Sequence, residues 1–322
     1  LGAMEMALAA HNSGGIVIAQ VRHVAANGSL RPHDVHVPGI LVDHVVEAPE
    51  MLQTTGTKYD PAISGEVIRP LDGFQIPEFG VQKVIARRVA QELHSGWAVN
   101  VGFGVSANVP RIFLEEGQHG AVTWVIEQGA VGGIPLLDFK FGCASNAEAF
   151  VTSPHQFAYF QAGGFDCSLL SFLEVDAEGS VNVSRLSATP HRTAGAGGFV
   201  DITARAAKIV FSGTFNAGAK MRIENGKLVI DKEGHTAKFV DKVDQVSFSG
   251  ARATRQGQQA TYVTERCVIE LGRDGLTVVE IAPGVDLEQD ILAQSATPLR
   301  VASELVEMDP RLFQPALIGL AP

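Results

Sequence analysis

The chain has 322 residues, of which 46% are hydrophobic and 19% charged, so it can bury the cores of about two domains and is neither disordered nor a small disulfide scaffold. Its 35 acidic and 25 basic residues leave a net charge of −10 without any basic block, which argues against a nucleic-acid partner. Three widely spaced cysteines suggest neither a disulfide framework nor a thiolate metal site, and no apolar stretch approaches the ~20 residues of a membrane span, so we expect a cytoplasmic protein.

The N-terminal part combines one α/β unit with a polar segment. Residues 3–10 have a helical pattern that runs into Asn and Gly, as helix C-termini do, and residues 16–21 have the pattern of a strand. A second apolar run covers residues 40–46, and residues 47–75 are polar, punctuated by proline and without periodicity. The pattern predicts a chain that opens in the middle of an α/β unit, as the C-terminal part of something longer, and continues into an inter-domain linker.

From residue 81 onward, helical and strand patterns alternate. We expect helices at 81–96 and 110–116 and strands at 97–101 and 121–126. This alternation predicts an α/β fold with an open, mostly parallel sheet and helices on both faces. After Gly195 strand patterns dominate, which predicts a β-rich layer or hairpins on that core. These strand patterns cover residues 208–211, 221–224, 227–230, 245–249, 261–264 and 268–271.

The most unusual local sequence is the glycine-rich turn after the second of these strands. Glu127 ends an apolar run and is followed by Gly129, Gly132 and Gly133. Such a carboxylate lies at the carboxyl edge of a parallel sheet, where open α/β folds bind ligands. Glycines let the backbone approach a ligand and aim amides at a developing oxyanion, which suits covalent acyl chemistry. The alternative is an exposed carboxylate that caps a helix or pairs with a lysine, and the pattern alone leaves both open.

Eight segments in chain order resemble the family I coenzyme A transferases, most closely the fused acetate, propionate and 3-oxoacid CoA-transferases. The segments are residues 13–21, 127–133, 157–166, 175–184, 197–202, 213–218, 264–266 and 280–287. In that family the catalytic glutamate lies in a Glu-x-Gly-x-x-Gly-Gly motif, which Glu127, Gly129, Gly132 and Gly133 match position by position. Ser180 departs from the pattern, because fused members more often have asparagine there.

The resemblance implies a CoA-transferase/NagB-like fold and a division of the chain. Residues 1–48 would be the tail of an α-like domain, residues 49–78 a linker, and residues 79–322 a β-like domain that carries the catalytic glutamate. The missing α-like half would lie on the same chain or on a separate one, and complete αβ units would form a homo-oligomer. The expected partners are acyl-CoA and carboxylic acids, with no nucleic acid and no membrane.

The implied activity is transfer of CoA from a short-chain acyl-CoA, of the acetyl, propionyl or acetoacetyl type, to an acceptor carboxylate. Glu127 would attack the thioester, pass through a mixed anhydride and hold CoA as a glutamyl thioester, with ping-pong kinetics. CoA would be substrate and covalent intermediate, without a permanently bound cofactor or a metal. Since the ionised carboxylate is the nucleophile, we expect no strong upward shift of the Glu127 pKa.

Two further loops carry candidate site residues. Gly102, Gly104 and Ser106, between a predicted strand and a helix, could present amides to the thioester or bind CoA, as the corresponding loop does in the family. Gly197 and Gly198 resemble the family position whose amide approaches the reacting carbonyl, and with the glycines of the catalytic motif they are candidates for an oxyanion-binding turn. For both loops a plain turn is the alternative.

Lys220 is the remaining candidate. It could reach the phosphates or the pantetheine of CoA, or be a solvated surface lysine. Two other functions also stay open. A thioester hydrolase would use the same glutamate with water as the acceptor. A non-catalytic sensor or phosphosugar-isomerase-like module could share the fold, because fold does not imply function.

Overall fold

The computed structural model describes residues 2–186, 189, 191 and 193–322. It contains six α-helices within these residues. In chain order they are α1 (Ala3–Asn12), α2 (Val81–Ala90), α3 (Val109–Glu115), α4 (Ser153–Ala162), α5 (Phe199–Arg205) and α6 (Gly250–Gln256). Within the described residues, no helix is both long enough and apolar enough to span a membrane.

The strands are short and end mostly at glycine, proline or polar turns. They are β1 (Ile18–Val21), β2 (His44–Glu47), β3 (Ala98–Val101), β4 (Thr123–Val125), β5 (Ala130–Val131), β6 (Ile134–Pro135), β7 (Ala144–Ser145), β8 (Ala149–Phe150), β9 (Cys167–Ser171), β10 (Glu174–Val175), β11 (Val181–Asn182), β12 (Lys208–Ser212), β13 (Asn216–Ala217), β14 (Lys220–Glu224), β15 (Lys227–Lys232), β16 (Thr236–Ala237), β17 (Gln259–Val263), β18 (Cys267–Gly272), β19 (Gly275–Ile281) and β20 (Arg300–Glu307).

A 10-stranded sheet forms the centre of the molecule, in the order β20-β19-β18-β17-β12-β9-β3-β4-β5-β8. Its middle strands β17, β12, β9, β3 and β4 pair in parallel. Antiparallel pairs extend the sheet through β18 and β19 on one side and through β5 and β8 on the other. The predicted α/β class with a mostly parallel sheet is therefore confirmed.

Helices cover both faces of the sheet, and successive side chains along each strand point to opposite faces. Leu169 packs into one hydrophobic cluster with α2 and α3, whereas Leu170 packs into the other with α4, α5 and α6. Val210 and Phe211 divide in the same way. A continuous apolar strand sequence is the signature of such a doubly covered sheet, and the helices lie on both faces as predicted.

The strand-rich second half mostly extends this sheet. Strands β17, β18 and β19 form an antiparallel meander within it, and β14 and β15 form a separate hairpin. The strand predicted at residues 245–249 is wrong. Phe248 makes a single bridge to Val181 and is buried, and Ser249 already caps α6 by accepting from the amide of Arg252 at 3.3 Å. The helix start therefore ends the extended run.

The N-terminal strands stand apart from the central sheet. β1 and β2 pair in parallel as a two-stranded sheet, and Ile18, Val45 and Val46 are 63%, 57% and 49% exposed. The apolar run at 40–46 begins as a short helical turn at Gly39–Leu41 before β2 starts. Part of the predicted linker packs on the main body, where Ile63 and Phe74 form a small cluster with Ile134 and Leu136. The domain boundaries themselves stay predictions.

Candidate active site

A cavity of about 450 Å³ lies at the carboxyl edge of the parallel strands. Strands β3, β4 and β9 all end at this edge, and the residues that follow them form the cavity walls with the loop before α5. Most of the walls are apolar. Its lining includes Val101, Phe103, Phe141, Leu170, Phe172, Phe199 and Ile202, together with Asn100, Glu127 and Gln128. This is the ligand-binding edge expected for an open α/β sheet.

Glu127 reaches the cavity from a tight turn after β4. The amide of Gly129 donates to the carbonyl of Ile126 at 2.8 Å, and the amide of Ile126 donates to the carbonyl of Ala130 at 2.9 Å. Gly129 has a φ of 111°, a conformation that glycine adopts and side-chain-bearing residues rarely do. Glu127 follows three consecutive buried residues, Trp124 to Ile126, and is half-buried at the cavity wall.

Gly197 and Gly198 contact the same carboxylate from the opposite loop. A Cβ atom at Gly197 would lie 3.2 Å from Glu127 Oε1, and one at Gly198 would lie 2.8 Å from Glu127 Oε2. The Gly198 amide also donates a hydrogen bond to the carboxylate. The structure therefore brings together three of the residues singled out in the sequence, although about 70 positions separate the two loops.

The electrostatics of Glu127 combine opposing effects. Burial raises the pKa of Glu127 above its ordinary value, the hydrogen bond from Gly198 lowers it, and the negative charge of Asp201 raises it further. The direction is upward, although the nucleophile we expect is the ionised form. The Gly198 amide is the contact that favours this form.

The glycines of the Glu127 motif shape the turn more than they face the cavity. The amide of Gly132 donates to the carbonyl of Trp124 at 2.8 Å, so it is used within the sheet. Gly132 and Gly133 both have a φ of 72°. A Cβ at Gly132 would lie 2.6 Å from Glu148 Cδ, and a Cβ at Gly133 would collide with the carbonyl of Ser145. With Gly129, they let the chain reverse without a side chain between the strands.

The Gly102 to Ser106 loop lies partly at the cavity. Gly102 lines it, but its amide donates to the carbonyl of Leu169 at 2.7 Å. A Cβ at Gly104 would collide with Ser171 Oγ, which donates to the carbonyl of Phe103 at 2.6 Å. Ser106 is fully buried, shares a hydrogen bond of 2.8 Å with Ser212 and donates to the carbonyl of Leu170 at 3.3 Å, so its hydroxyl links β12 and β9. Its role in CoA binding stays a prediction.

Lys220 is not brought to this cavity. It is exposed at the start of β14, in the separate hairpin. A lysine that does approach the cavity wall is Lys238, which is 9% exposed and lies with Nζ 4.0 Å from the centre of the Phe172 ring. Burial lowers the pKa of Lys238 to about 8, although the charge of Glu265 opposes this.

Asn100 is a cavity residue that the sequence interpretation missed. It is 1% exposed, its Nδ2 donates to the carbonyl of Val125 at 3.1 Å, and its Oδ1 accepts from Ser168 Oγ at 3.0 Å. The amide thus ties the end of β3 to β4 and β9. The sequence feature that could have identified Asn100 is a single polar side chain inside an otherwise apolar, doubly buried strand, where an unpaired polar group is costly.

The arrangement suits acyl chemistry on a carboxylate. One partly buried glutamate faces an apolar cavity, and a backbone amide is held at its oxygen atoms. Among the described residues, no group of three or more His, Cys, Asp or Glu side chains is placed to bind a metal ion.

Proteins related to this chain match it over its length. It is 42% identical over 322 residues to the caffeate CoA-transferase of Acetobacterium woodii, and the alignment covers 98% of this chain and 62% of that protein. It is 27% identical over 236 residues to the acetate CoA-transferase subunit beta of Haemophilus influenzae, and that alignment covers 70% of this chain and 95% of the subunit. No protein-family model matches the chain.

The fold has a solved counterpart. The crystal structure of the acyl-CoA transferase YdiF from Escherichia coli O157:H7 aligns with a TM-score of 0.90 at 37% sequence identity, over 100% of this chain and 60% of that one. The same protein has been solved as a thioester complex with CoA. The chain therefore spans about three fifths of the length of these longer relatives.

Proposed function

Because the chain belongs to the family I coenzyme A transferases, we propose that it carries the catalytic part of an enzyme that moves CoA from a short-chain acyl-CoA to an acceptor carboxylate. The observation that carries the proposal is the position of Glu127. It lies at the carboxyl edge of the sheet, with its carboxylate against Gly197 and Gly198 and the apolar cavity beside it. The acetate and caffeate in the names of the relatives are both carboxylic acids, in keeping with this class of acceptor.

The chemistry follows from a carboxylate nucleophile. Glu127 attacks the thioester carbonyl, the C–S bond breaks, and a mixed anhydride and CoA thiolate result. The thiolate then attacks the glutamyl carbonyl, and the first carboxylic acid leaves as its carboxylate. A second carboxylate reverses these steps on the glutamyl-CoA thioester. Each step exchanges one acyl bond for another, so the thioester energy is retained without ATP.

The chain's own residues have distinct roles in this scheme. The Gly198 amide holds the carboxylate and is placed to donate to an oxyanion that forms on the glutamyl carbonyl. The apolar walls limit access of water, which favours transfer over hydrolysis. Asn100 holds the end of β3 in position beside β4. Gly129, Gly132 and Gly133 keep the turn in the conformation that presents Glu127.

We also propose that an α-like half completes the enzyme, in the same polypeptide or as a partner. The small sheet of β1 and β2 exposes apolar side chains and unpaired strand edges, which ordinarily need neighbours. The matched beta subunit from Haemophilus influenzae is nearly covered by this chain, whereas the longer relatives extend well beyond it. Complete αβ units then assemble as a homo-oligomer, which a charge of −10 would help to keep in solution.

The test is to trap the glutamyl thioester. The enzyme is incubated with acetyl-CoA, reduced with borohydride and mapped by mass spectrometry, and we expect modification at Glu127. Glu127→Gln should lower transfer by at least ~1,000-fold, since the covalent route is lost. Glu148→Gln is the matched control, because Glu148 is exposed beside the same turn. Modification at another carboxylate, or an active Glu127→Gln enzyme, would contradict the assignment.

The acceptor distinguishes transfer from hydrolysis. Adding a second carboxylic acid to acetyl-CoA should speed formation of the new acyl-CoA without net release of free CoA. Steady release of free CoA that does not depend on an acceptor acid would instead establish a thioester hydrolase.

A further inference from the structure

A second cavity, of about 460 Å³, lies next to the proposed active site. Its walls come from residues of the predicted linker, including Arg69 and Phe74, from the segment 136–140, and from Arg111 on α3. The same segment continues to Phe141, which lines the first cavity. Consecutive residues, Lys140 and Phe141, therefore line the two cavities.

Arg111 is the unusual residue of this second cavity. Its side chain is only 4% exposed, and its guanidinium lies 4.9 Å from the centre of the Phe74 ring. Nε and Nη1 are buried and have no hydrogen-bond partner among the described residues. Burial lowers the pKa of Arg111 to about 10. A buried guanidinium is ordinarily paired with a carboxylate or with carbonyl oxygens, so this one lacks the ligands it requires.

Other buried arginines of the chain have an acceptor at each terminal nitrogen, although Arg87 Nε has no partner among the described residues. Arg87 donates to the carbonyls of Gln314 and Ala316 at 2.6 and 3.0 Å, and Arg266 donates to both oxygens of Glu233 at 2.8 and 2.7 Å. In the second cavity itself, Arg69 is paired with Asp60. The fold thus provides acceptors for these three cations, whereas Arg111 faces a cavity.

The cavity as a whole is cationic. Arg69, Arg111 and Lys140 line it, and Asp138 is the acidic residue of its lining. Asp60 neutralises Arg69, which leaves Arg111 and Lys140 against one carboxylate. The cavity is therefore locally positive, although the net charge of the chain is −10. A planar guanidinium beside a lysine matches the several acceptor oxygens of a phosphate group.

We propose that this second cavity binds a phosphate group, which accepts hydrogen bonds from the Arg111 guanidinium and interacts with Lys140. Phosphate supplies a negative charge to Arg111, which has no carboxylate partner among the described residues, and the cavity has room for more than a bare carboxylate. Two sources share this chemistry. The phosphate belongs either to CoA, whose thiol end would occupy the neighbouring cavity, or to a separate phosphorylated ligand.

The test is phosphate-dependent stability of the purified chain, together with any polypeptide that co-purifies. Thermal unfolding is followed with and without inorganic phosphate at matched ionic strength, with chloride as a second anion. We expect phosphate to raise the midpoint of the wild type and chloride to have little effect, because a ligand that binds the native state stabilises it. Arg111→Met should abolish the phosphate-dependent rise. Without phosphate it should unfold no earlier than the wild type, since an unpaired buried charge has been removed.

Lys140→Met is a second variant. Because Lys140 is exposed, this substitution should not disturb folding, and any change in phosphate binding reports on the cavity itself. It should weaken phosphate binding several-fold, whereas Lys232→Met, exposed on the distant hairpin, should not. The proposal is overturned if phosphate does not stabilise the wild type, if chloride stabilises it equally, or if both Arg111→Met and Lys140→Met respond like the wild type. It is also overturned if Arg111→Met is destabilised without phosphate while Lys140→Met binds phosphate normally.

Calorimetric titration with CoA, dephospho-CoA and pantetheine identifies the source. If Arg111→Met weakens CoA binding about tenfold or more but leaves pantetheine binding unchanged, the phosphate belongs to CoA. Dephospho-CoA then shows whether the 3′-phosphate is the group that binds. If Arg111→Met loses inorganic phosphate but binds CoA normally, the cavity takes a separate phosphorylated ligand. Phosphate binding is measured directly, so none of these results depends on transferase activity.

Discussion

The contact between Gly198 and Glu127 gives the sharpest test of the site geometry. A Cβ at Gly198 would lie 2.8 Å from Glu127 Oε2 and 2.7 Å from Phe157 Cε1. Gly198 has φ −79° and ψ 3°, which alanine also adopts, so Gly198→Ala adds little backbone strain. The added methyl group therefore acts on the carboxylate and on the Phe157 ring, while the Gly198 amide remains.

The size of the effect follows from the displacement. To reach ordinary contact distance the carboxylate must move by at least about 0.6 Å. Since a misplacement of about 1 Å can lower a rate about 100-fold, we expect kcat/KM for CoA transfer to fall about 10- to 100-fold. Overpacking against Phe157 should lower the free energy of unfolding by about 1 kcal/mol. Activity is thus lost by far more than stability.

The assay measures kcat/KM for CoA transfer and urea unfolding on the same preparations, with the α-like half supplied. Gly195→Ala is the matched control in the same loop, because a Cβ there would meet nothing within 4 Å. We expect it to change kcat/KM by less than about threefold. If Gly198→Ala and Gly195→Ala have equal activities, the carboxylate does not occupy the position described, and the proposed placement of the nucleophile is refuted.

Four other outcomes are expected. Asp201→Asn should shift the acid limb of kcat/KM to lower pH, because the negative charge of Asp201 raises the pKa of Glu127 and activity falls as pH drops through that pKa; an unchanged limb in the pH profile would contradict this. Arg266→Met should lower the free energy of unfolding by about 3–5 kcal/mol in urea, because it removes the ion-pair partner of the fully buried Glu265; a loss below about 1 kcal/mol would contradict it. Chain 1–322 alone should lack robust transferase activity, and light scattering of the complete enzyme should give an oligomer of αβ units; full activity without another polypeptide, or a single αβ unit at micromolar concentration, would contradict these expectations.

Local patterns allowed the parallel core of the fold to be predicted. The strands around Val99, Trp124 and Val210 are continuous apolar runs bounded by glycine or polar turns, which is how doubly buried strands appear in a sequence. The helix before the first of them, α2, has apolar residues at helical spacing. The position of Glu127 at the sheet edge followed from the same reasoning, because it comes directly after one of these runs.

What could not be predicted depends on contacts between distant segments. Residues 245–249 have a strand pattern, but Phe248 has a partner only at Val181, and the start of α6 ends the run. The antiparallel extension through β5 and β8 consists of two-residue strands, too short to give a period. Asn100 is held at the cavity by hydrogen bonds with Val125 and Ser168, which follow it by 25 and 68 positions.

The reactivity of Glu127 depends both on local sequence patterns and on contacts between distant segments. The apolar strand and the Gly129 turn deliver the side chain to the sheet edge, and both are encoded within a few residues. The protonation state depends on a different loop, in which Gly198 stabilises the ionised carboxylate while burial and Asp201 oppose it. A carboxylate that is too well stabilised would be a poor nucleophile, and one that is fully desolvated would be protonated. The glycines at 197 and 198 let the loop approach closely enough for a backbone amide, with no competing side chain, to set that balance.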